Sequence, residues 1–383
     1  QKIDINKSNI LLVTETPPGT PNGFGVTLKN LFFGIKHDTL FTDINFKKSN
    51  IEKDFIFAHC PYHSSKKGFV LFLLGLIPEW RGYYSKTWMS FFLRKKYELV
   101  YAFFYSLECA VFSYRIAKHK NARLIIHIAD HNKAFTASYI FREIVQFSSK
   151  VCCIGNNMRD FYEKEFSRNF DVFHNLANDA FLPLSNNLNS SFCKTNPLKL
   201  LFIGSLFETL HKGTIHNICK VIDDLNDEGY PIRFNLYGQI VPTSFLSQEF
   251  TSSNIQHHGI IPSEERFNIM SENHCFIVPS SFNENIKDEY RYSIPTKLPE
   301  LLLSGRPVII HGPREMEASR YCTENKCGII IDENSIVTLK SKIIDIFNNY
   351  TEYNNQALKT SHNLKKHLSI TLNRSKFHKF VLN

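Results

Sequence analysis

The sequence predicts an α/β protein of two domains, each a parallel β-sheet covered by helices. Three observations carry that expectation. At 383 residues the chain exceeds one ordinary core and suits two domains of roughly 150 to 200 residues. Short β-rich apolar runs alternate with helical spacing, the grammar of parallel sheets. A polar, turn-rich stretch at 178–197 then separates two halves in which the alternation starts again.

Taken in order, residues 9–14 (NILLVT) read as a first strand. Pro17, Pro18, Gly19, Pro21, Gly23 and Gly25 make a turn-rich loop, and helical spacing starts at Val26. Further strands are expected at 55–58, 124–128 and 151–154, with the longest helical stretch at 86–118. Beyond the polar stretch, strands are expected at 198–203, 233–237, 275–278, 308–310 and 328–331, with a helix from Gly213. Residues 335–383 lack Pro and space their apolar positions along one helical face, so they can cross back onto the first domain. The expected division is a first domain at 1–185, a second at 186–349 and a helical segment at 350–383.

Hydrophobic content of 43% with 34 Phe supplies a sizeable core, and charged content of 21% is globular rather than disordered. The nine cysteines are scattered without a CxxC pair, which argues against a disulfide framework or zinc knuckle and for a reducing cytosol. No leader-like segment opens the sequence. The longest clean apolar run, 69–77 (FVLFLLGLI), is about half the ~20 residues of a spanning helix. A formal charge of +9 admits nucleic acid, an anionic membrane or a phosphorylated substrate. Basic residues from Lys66 to Lys96 are interleaved with Trp80, Trp88 and Phe, which suits an anionic membrane surface better than nucleic acid; solvated surface charge is the plain alternative.

In parallel α/β domains, ligands bind beyond the carboxyl ends of the strands. Three loops there attract notice. Gly23 and Gly25 allow a close backbone approach ahead of a helix, although a dinucleotide fingerprint would need a third glycine where Leu28 stands. In the second half, GSLFETLHKG (204–213) puts Lys212 near a helix start, suited to a diphosphate or simply solvated. The richest stretch is YRYSIPTKLPELLLSGRPVIIHGP (290–313). There Pro295 fits the first turn of a helix reaching about Ser304, so Lys297 and free N–H groups could hold phosphate. Glu300, one turn on, could accept hydrogen bonds from ribose hydroxyls, or merely pair with Lys297.

The pattern SIPTKLPELLLSGRPVI at 293–309, with GSL…KG at 204–213 and the loop at Gly23 and Gly25, resembles retaining glycosyltransferases of the large bacterial family 4 type, especially those of surface-polysaccharide assembly. The resemblance implies a GT-B fold, two Rossmann-like domains facing across a cleft. It assigns the acceptor to the first domain and a nucleotide-sugar donor to the second. By position it implies Glu300 on the donor ribose, Lys212 on the diphosphate, and His127 or Asp130 near the reacting sugar. Gly23 and Gly25 match the loop near donor phosphates and acceptor, and Arg291, Tyr292, Ser293, Thr296 and Lys297 complete the expected binding set. Two positions depart from the family pattern: Tyr292 stands where the first glutamate of a spaced pair belongs, and Ser205 replaces an arginine after the strand glycine.

No DxD triad, HExxH motif or His/Cys spacing marks a metal, so no cofactor is expected and lysines with helix N-termini would meet leaving-group charge. A GxSxG hydrolase elbow is also missing. The expected activity is metal-independent transfer of a sugar to a glycan or polyprenol-linked acceptor, in the cytoplasm or on the inner face of the cell membrane, with no nucleic-acid partner. A catalytically silent sugar-nucleotide or glycan-binding subunit and a nucleotide-sugar 2-epimerase are the alternatives.

Overall fold

The computed structural model describes residues 9–20, 22–41, 56–57, 95–179, 192–241, 252–262, 265–285 and 291–383. The chain divides into two compact units, one of Gln1–Asn175 with Arg374–Asn383 and one of Leu176–Asn373. The first break thus falls before residue 186, and the return to the first unit starts at Arg374 rather than at 350.

In the first unit the strands are β1 (Ile10–Thr14), β2 (Asp38–Phe41), β3 (Ile56–Phe57), β4 (Leu99–Phe104), β5 (Arg123–Ile128), β6 (Lys150–Cys153) and β7 (Asp171–Val172). They form one parallel sheet in the order β3-β2-β1-β4-β5-β6-β7. β1 and β4 are buried at every position, as a parallel sheet covered on both faces requires. The last helix, Ile370–Leu382, completes this core. Its Phe377 is fully buried, with ring centroids 5.4 Å from Phe32, 5.8 Å from Tyr101 and 5.3 Å from Phe173.

The second unit repeats the scheme. β8 (Leu198–Ile203), β10 (Ile232–Tyr237), β12 (Ile255–His257), β13 (Cys275–Pro279), β14 (Val308–His311) and β15 (Ile329–Ile331) run in the order β12-β10-β8-β13-β14-β15. A two-stranded parallel ribbon, β9 (Leu206–Phe207) with β11 (Ile240–Val241), caps the carboxyl ends of β8 and β10. In each sheet the chain builds outward from its first strand and then crosses to that strand's other side. The order reverses between β1 and β4 in one unit and between β8 and β13 in the other. At such switch points the loops diverge and leave a crevice for ligands.

The helix expected at 86–118 is corrected by the structure. Residues 99–104 form β4, and the helix behind it is Leu107–Lys120. LVYAFF is apolar throughout, and a short, fully buried strand cannot be told from helix by spacing alone. Ser106 fixes the real start by accepting the Cys109 N–H at 3.2 Å, and Asn121, at φ 51°, ends it. Most of the basic and aromatic segment from Lys66 onward, including Lys86 and Arg94, lies outside the described residues. At its end, Lys95 pairs with Asp38 at 2.9 Å. Among the described residues no helix is long and apolar enough to cross a membrane.

Candidate functional site

The second unit's switch point is open. After β8 the chain turns at Gly204 and reaches the helix Glu208–Asp227, which starts ahead of Gly213 and so places Lys212 in its second turn. The loops after β8 and β10 meet backbone to backbone: a Cβ on Gly238, at φ 140°, would stand 1.7 Å from the Gly204 carbonyl oxygen. Buried Thr214 donates its hydroxyl to the Ser280 carbonyl oxygen at 2.8 Å, tying this helix to the loop after β13. Beside that bond lies a pocket of about 460 Å³, walled by Lys212, Gly213 and Thr214, by Ser281, Phe282 and Asn283, and by Asn334. Behind Phe282 stands buried His311, its ring 5.2 Å away and its Nδ1 3.2 Å from the Ile331 carbonyl oxygen; burial pushes its pKa down, so the wall is uncharged there. Lys212 therefore dominates the pocket's charge. Its Nζ holds Glu208 at 2.7 Å in a half-exposed pair worth only about 0.3 to 0.5 kcal/mol, so an anion can compete for it.

The helix expected from Pro295 is shorter, Leu298–Leu303, with Lys297 as its cap residue and Pro299 in its first turn. Residues before it form a separate turn closed by Leu298 N–H to the Pro295 carbonyl oxygen at 2.9 Å. Pro299 has no N–H, so this terminus offers fewer donors to a phosphate than the sequence suggested. Glu300 is 4% exposed, and its partner is not chiefly Lys297: Arg266 Nη1 lies 3.4 Å from both carboxylate oxygens. Lys297 feels the cluster electrostatically. Burial lowers its pKa, Glu300 raises it, and Arg266 lowers it again. Arg291, Tyr292, Ser293 and Thr296 are half-buried in the segment leading in, where the Arg291 carbonyl oxygen accepts the Glu317 N–H at 3.1 Å. Glu289, the acidic residue nearest Tyr292 in sequence, lies outside the described residues.

In the first unit the switch point is tightly laced. Asn22 caps the helix Gly23–Phe32 by accepting the Gly25 N–H at 2.9 Å, so both Gly23 and Gly25 belong to that helix, ahead of Val26. A Cβ on Gly25 would meet the Thr20 and Pro17 carbonyl oxygens at 2.6 and 2.7 Å. Across the switch point, Glu15 Oε2 accepts the Tyr105 N–H at 2.8 Å, and Asn132 donates to the Tyr105 carbonyl oxygen at 3.1 Å. The Phe24 and Tyr105 rings pack at 5.1 Å.

His127 and Asp130 part company. His127 lies within β5, fully buried, with Nδ1 2.8 Å from the Tyr101 hydroxyl and its ring 4.9 Å from Phe103. Burial drives its pKa down to about 3, outweighing the Phe173 backbone, so it is a neutral core residue. Asp130 lies beyond the strand end, half-buried, and accepts the His131 N–H at 2.9 Å; His131 in turn faces the Tyr162 hydroxyl at 3.0 Å. Four participants escaped the sequence: Arg266, Thr214, Glu15 and Tyr105. Only Glu15, a carboxylate directly after an apolar strand, carried a local signal.

No family model matches the sequence, and neither does any curated protein. Solved structures do match along almost the whole chain. HepE of Anabaena, solved with UDP and glucose, is 12% identical over 97% of this chain and 99% of its own, with a TM-score of 0.66. A glycosyltransferase of Rickettsia africae is 14% identical over 98% and 99%, with a TM-score of 0.68. WaaG, a glycosyltransferase involved in lipopolysaccharide biosynthesis, is 12% identical over 97% and 99%, with a TM-score of 0.60. Two parallel α/β units with these neighbours define a GT-B fold. At such identities the likeness establishes architecture, and chemistry must be argued from the residues.

Proposed function

We propose that this chain is a retaining glycosyltransferase that takes a sugar from a nucleotide-sugar held by its second unit and gives it to a glycan or polyprenol-linked acceptor in cell-surface polysaccharide assembly. The observation that carries this is the open pocket at the second unit's switch point, with Lys212 and the Thr214 helix turn at its wall. A diphosphate suits the ammonium, while the buried Glu300 carboxylate suits vicinal ribose hydroxyls. HepE, with its bound UDP and glucose, and WaaG, in lipopolysaccharide biosynthesis, support the donor class and the setting. Leaving-group charge falls to Lys212, Lys297 and Arg291, without a metal. A cytoplasmic enzyme resting on the inner membrane face fits the basic segment from Lys66; binding to anionic but not neutral vesicles is the outcome that reading requires. Tyr292 and Ser205 favour one competitor, a silent binding subunit that holds the donor without turnover.

Calorimetric titration with a panel of nucleosides, nucleoside diphosphates and their sugars tests the donor site. Glu300→Gln weakens charge-assisted hydrogen bonds worth about 1.5 to 3 kcal/mol, so nucleoside and nucleotide affinity fall about tenfold or more. Turnover assayed in excess EDTA persists. No binding by the wild type across the panel, or unchanged affinity in Glu300→Gln, would sink the assignment.

A further inference from the structure

The first unit's switch point holds an acid that the donor chemistry does not use. Glu15 directly follows β1 and is 6% exposed. Its carboxylate reaches over to the strand on the far side of the switch point, accepting the Tyr105 N–H at 2.8 Å. Ser106, the next residue, lies close enough for its amide and hydroxyl to favour the ionised carboxyl. That hydroxyl is the one whose oxygen caps the helix Leu107–Lys120 at Cys109. One carboxylate thus stands beside the entry of a helix, where negative charge is favoured, and fixes the backbone of Tyr105, whose ring rests on Phe24 and whose carbonyl oxygen is held by Asn132. Three strand-end loops, after β1, β4 and β5, converge on this one peptide.

We infer that Glu15 is a positioning residue that holds Tyr105 and the loop after β4 at the first unit's ligand crevice, and that its hold is tightest when the carboxyl is protonated. Resting on the reading above, that crevice receives the acceptor, and Tyr105 is the rim residue that Glu15 orients. Ionisation is the natural control because burial pushes the Glu15 pKa up to about 7. Burial is the largest influence and Glu108 adds to it, while the Ser106 hydroxyl and the amides of Tyr105 and Ser106 pull the other way. Rising pH therefore works against the clamp, because its charge is buried. The hydrogen bonds favour the ionised form, but the cost of burying its charge outweighs them, so gaining the charge loosens the closed loop.

Hydrogen–deuterium exchange resolved to the Tyr105 and Ser106 amides, corrected for the intrinsic pH effect, reads the clamp without any substrate. In the wild type, protection of both amides falls about tenfold between pH 6 and pH 8.5, because the closed loop holds the Glu15 proton more tightly than an opened, solvated one. In Glu15→Gln, which keeps the shape and one acceptor oxygen, the step vanishes while the protection of β4 stays as it was. A wild-type course without a step, or the same step in Glu15→Gln, overturns the inference. The wild-type titration alone decides the matter should the variant fold poorly. Nucleoside diphosphate titration on the same samples separates the two claims: a protein that binds none refutes the donor reading while leaving the exchange result to stand or fall by itself.

Discussion

The two units order their first six strands alike yet treat their switch points in opposite ways. In the second, the loops after β8 and β13 part around a pocket of about 460 Å³ presided over by Lys212. In the first, the loops after β1 and β4 are drawn together by the Glu15 carboxylate. One crevice carries a cation at its wall, paired with Glu208; the other is bridged by a buried carboxyl. A shared order of strands fixes where the crevices lie, and the side chains at each one set its charge.

The largest effect that tests this contrast is at the glycines that let the loops approach. Gly238→Ala must move a backbone that leaves 1.7 Å for the new Cβ and must also hold φ at 140°, so a loss of about 4 kcal/mol of unfolding free energy is expected by denaturant titration. Gly25→Ala meets carbonyl oxygens at 2.6 Å but no positive φ, and should cost clearly less. Equal losses would mean that backbone conformation contributes nothing to the difference.

Next comes the pH dependence of Glu15. Its folded pKa of about 7 lies above the ordinary 4.5, so the folded state holds more protons between those values and loses stability as pH rises through that window. Below pH 4.5 the penalty is absent, and above about 7 it is complete, at about 3 kcal/mol when converted at about 1.4 kcal/mol per pH unit. Melts of the wild type and Glu15→Gln at pH 5 and pH 8 should therefore differ, the variant losing less on going to high pH. Parallel pH profiles would remove the buried charge from the first switch point.

The smallest effect belongs to Lys212. Because its pair with Glu208 is half-exposed, Lys212→Ala should leave the melting temperature nearly unchanged. It should weaken nucleoside diphosphate binding by about 1.5 to 3 kcal/mol and spare the free nucleoside, which carries no phosphate. Equal loss for both ligands would place the lysine on the base or ribose and revise the pocket's orientation.

Much of the fold was legible because parallel strands buried on both faces are short apolar runs: β1, β5, β8, β13, β14 and β15 all declare themselves by composition. β4 did not, since LVYAFF next to helical sequence satisfies either period. The closeness of Lys297 and Glu300 was written in their spacing, as was the glycine loop. The sequence alone also supplied the switch from strand to helix around Lys212, although it put the helix start at Gly213 rather than Glu208. Tertiary structure alone brought Arg266 to Glu300 across 34 positions and Tyr105 to Glu15 across 90, because sheet order, and not local periodicity, determines which loops become neighbours. It also separated His127 from Asp130. Three residues apart in one segment, they lie on either side of a strand's end, so one is desolvated core and the other faces the crevice loops. Pattern reveals that a strand exists, but only packing decides where along it water stops.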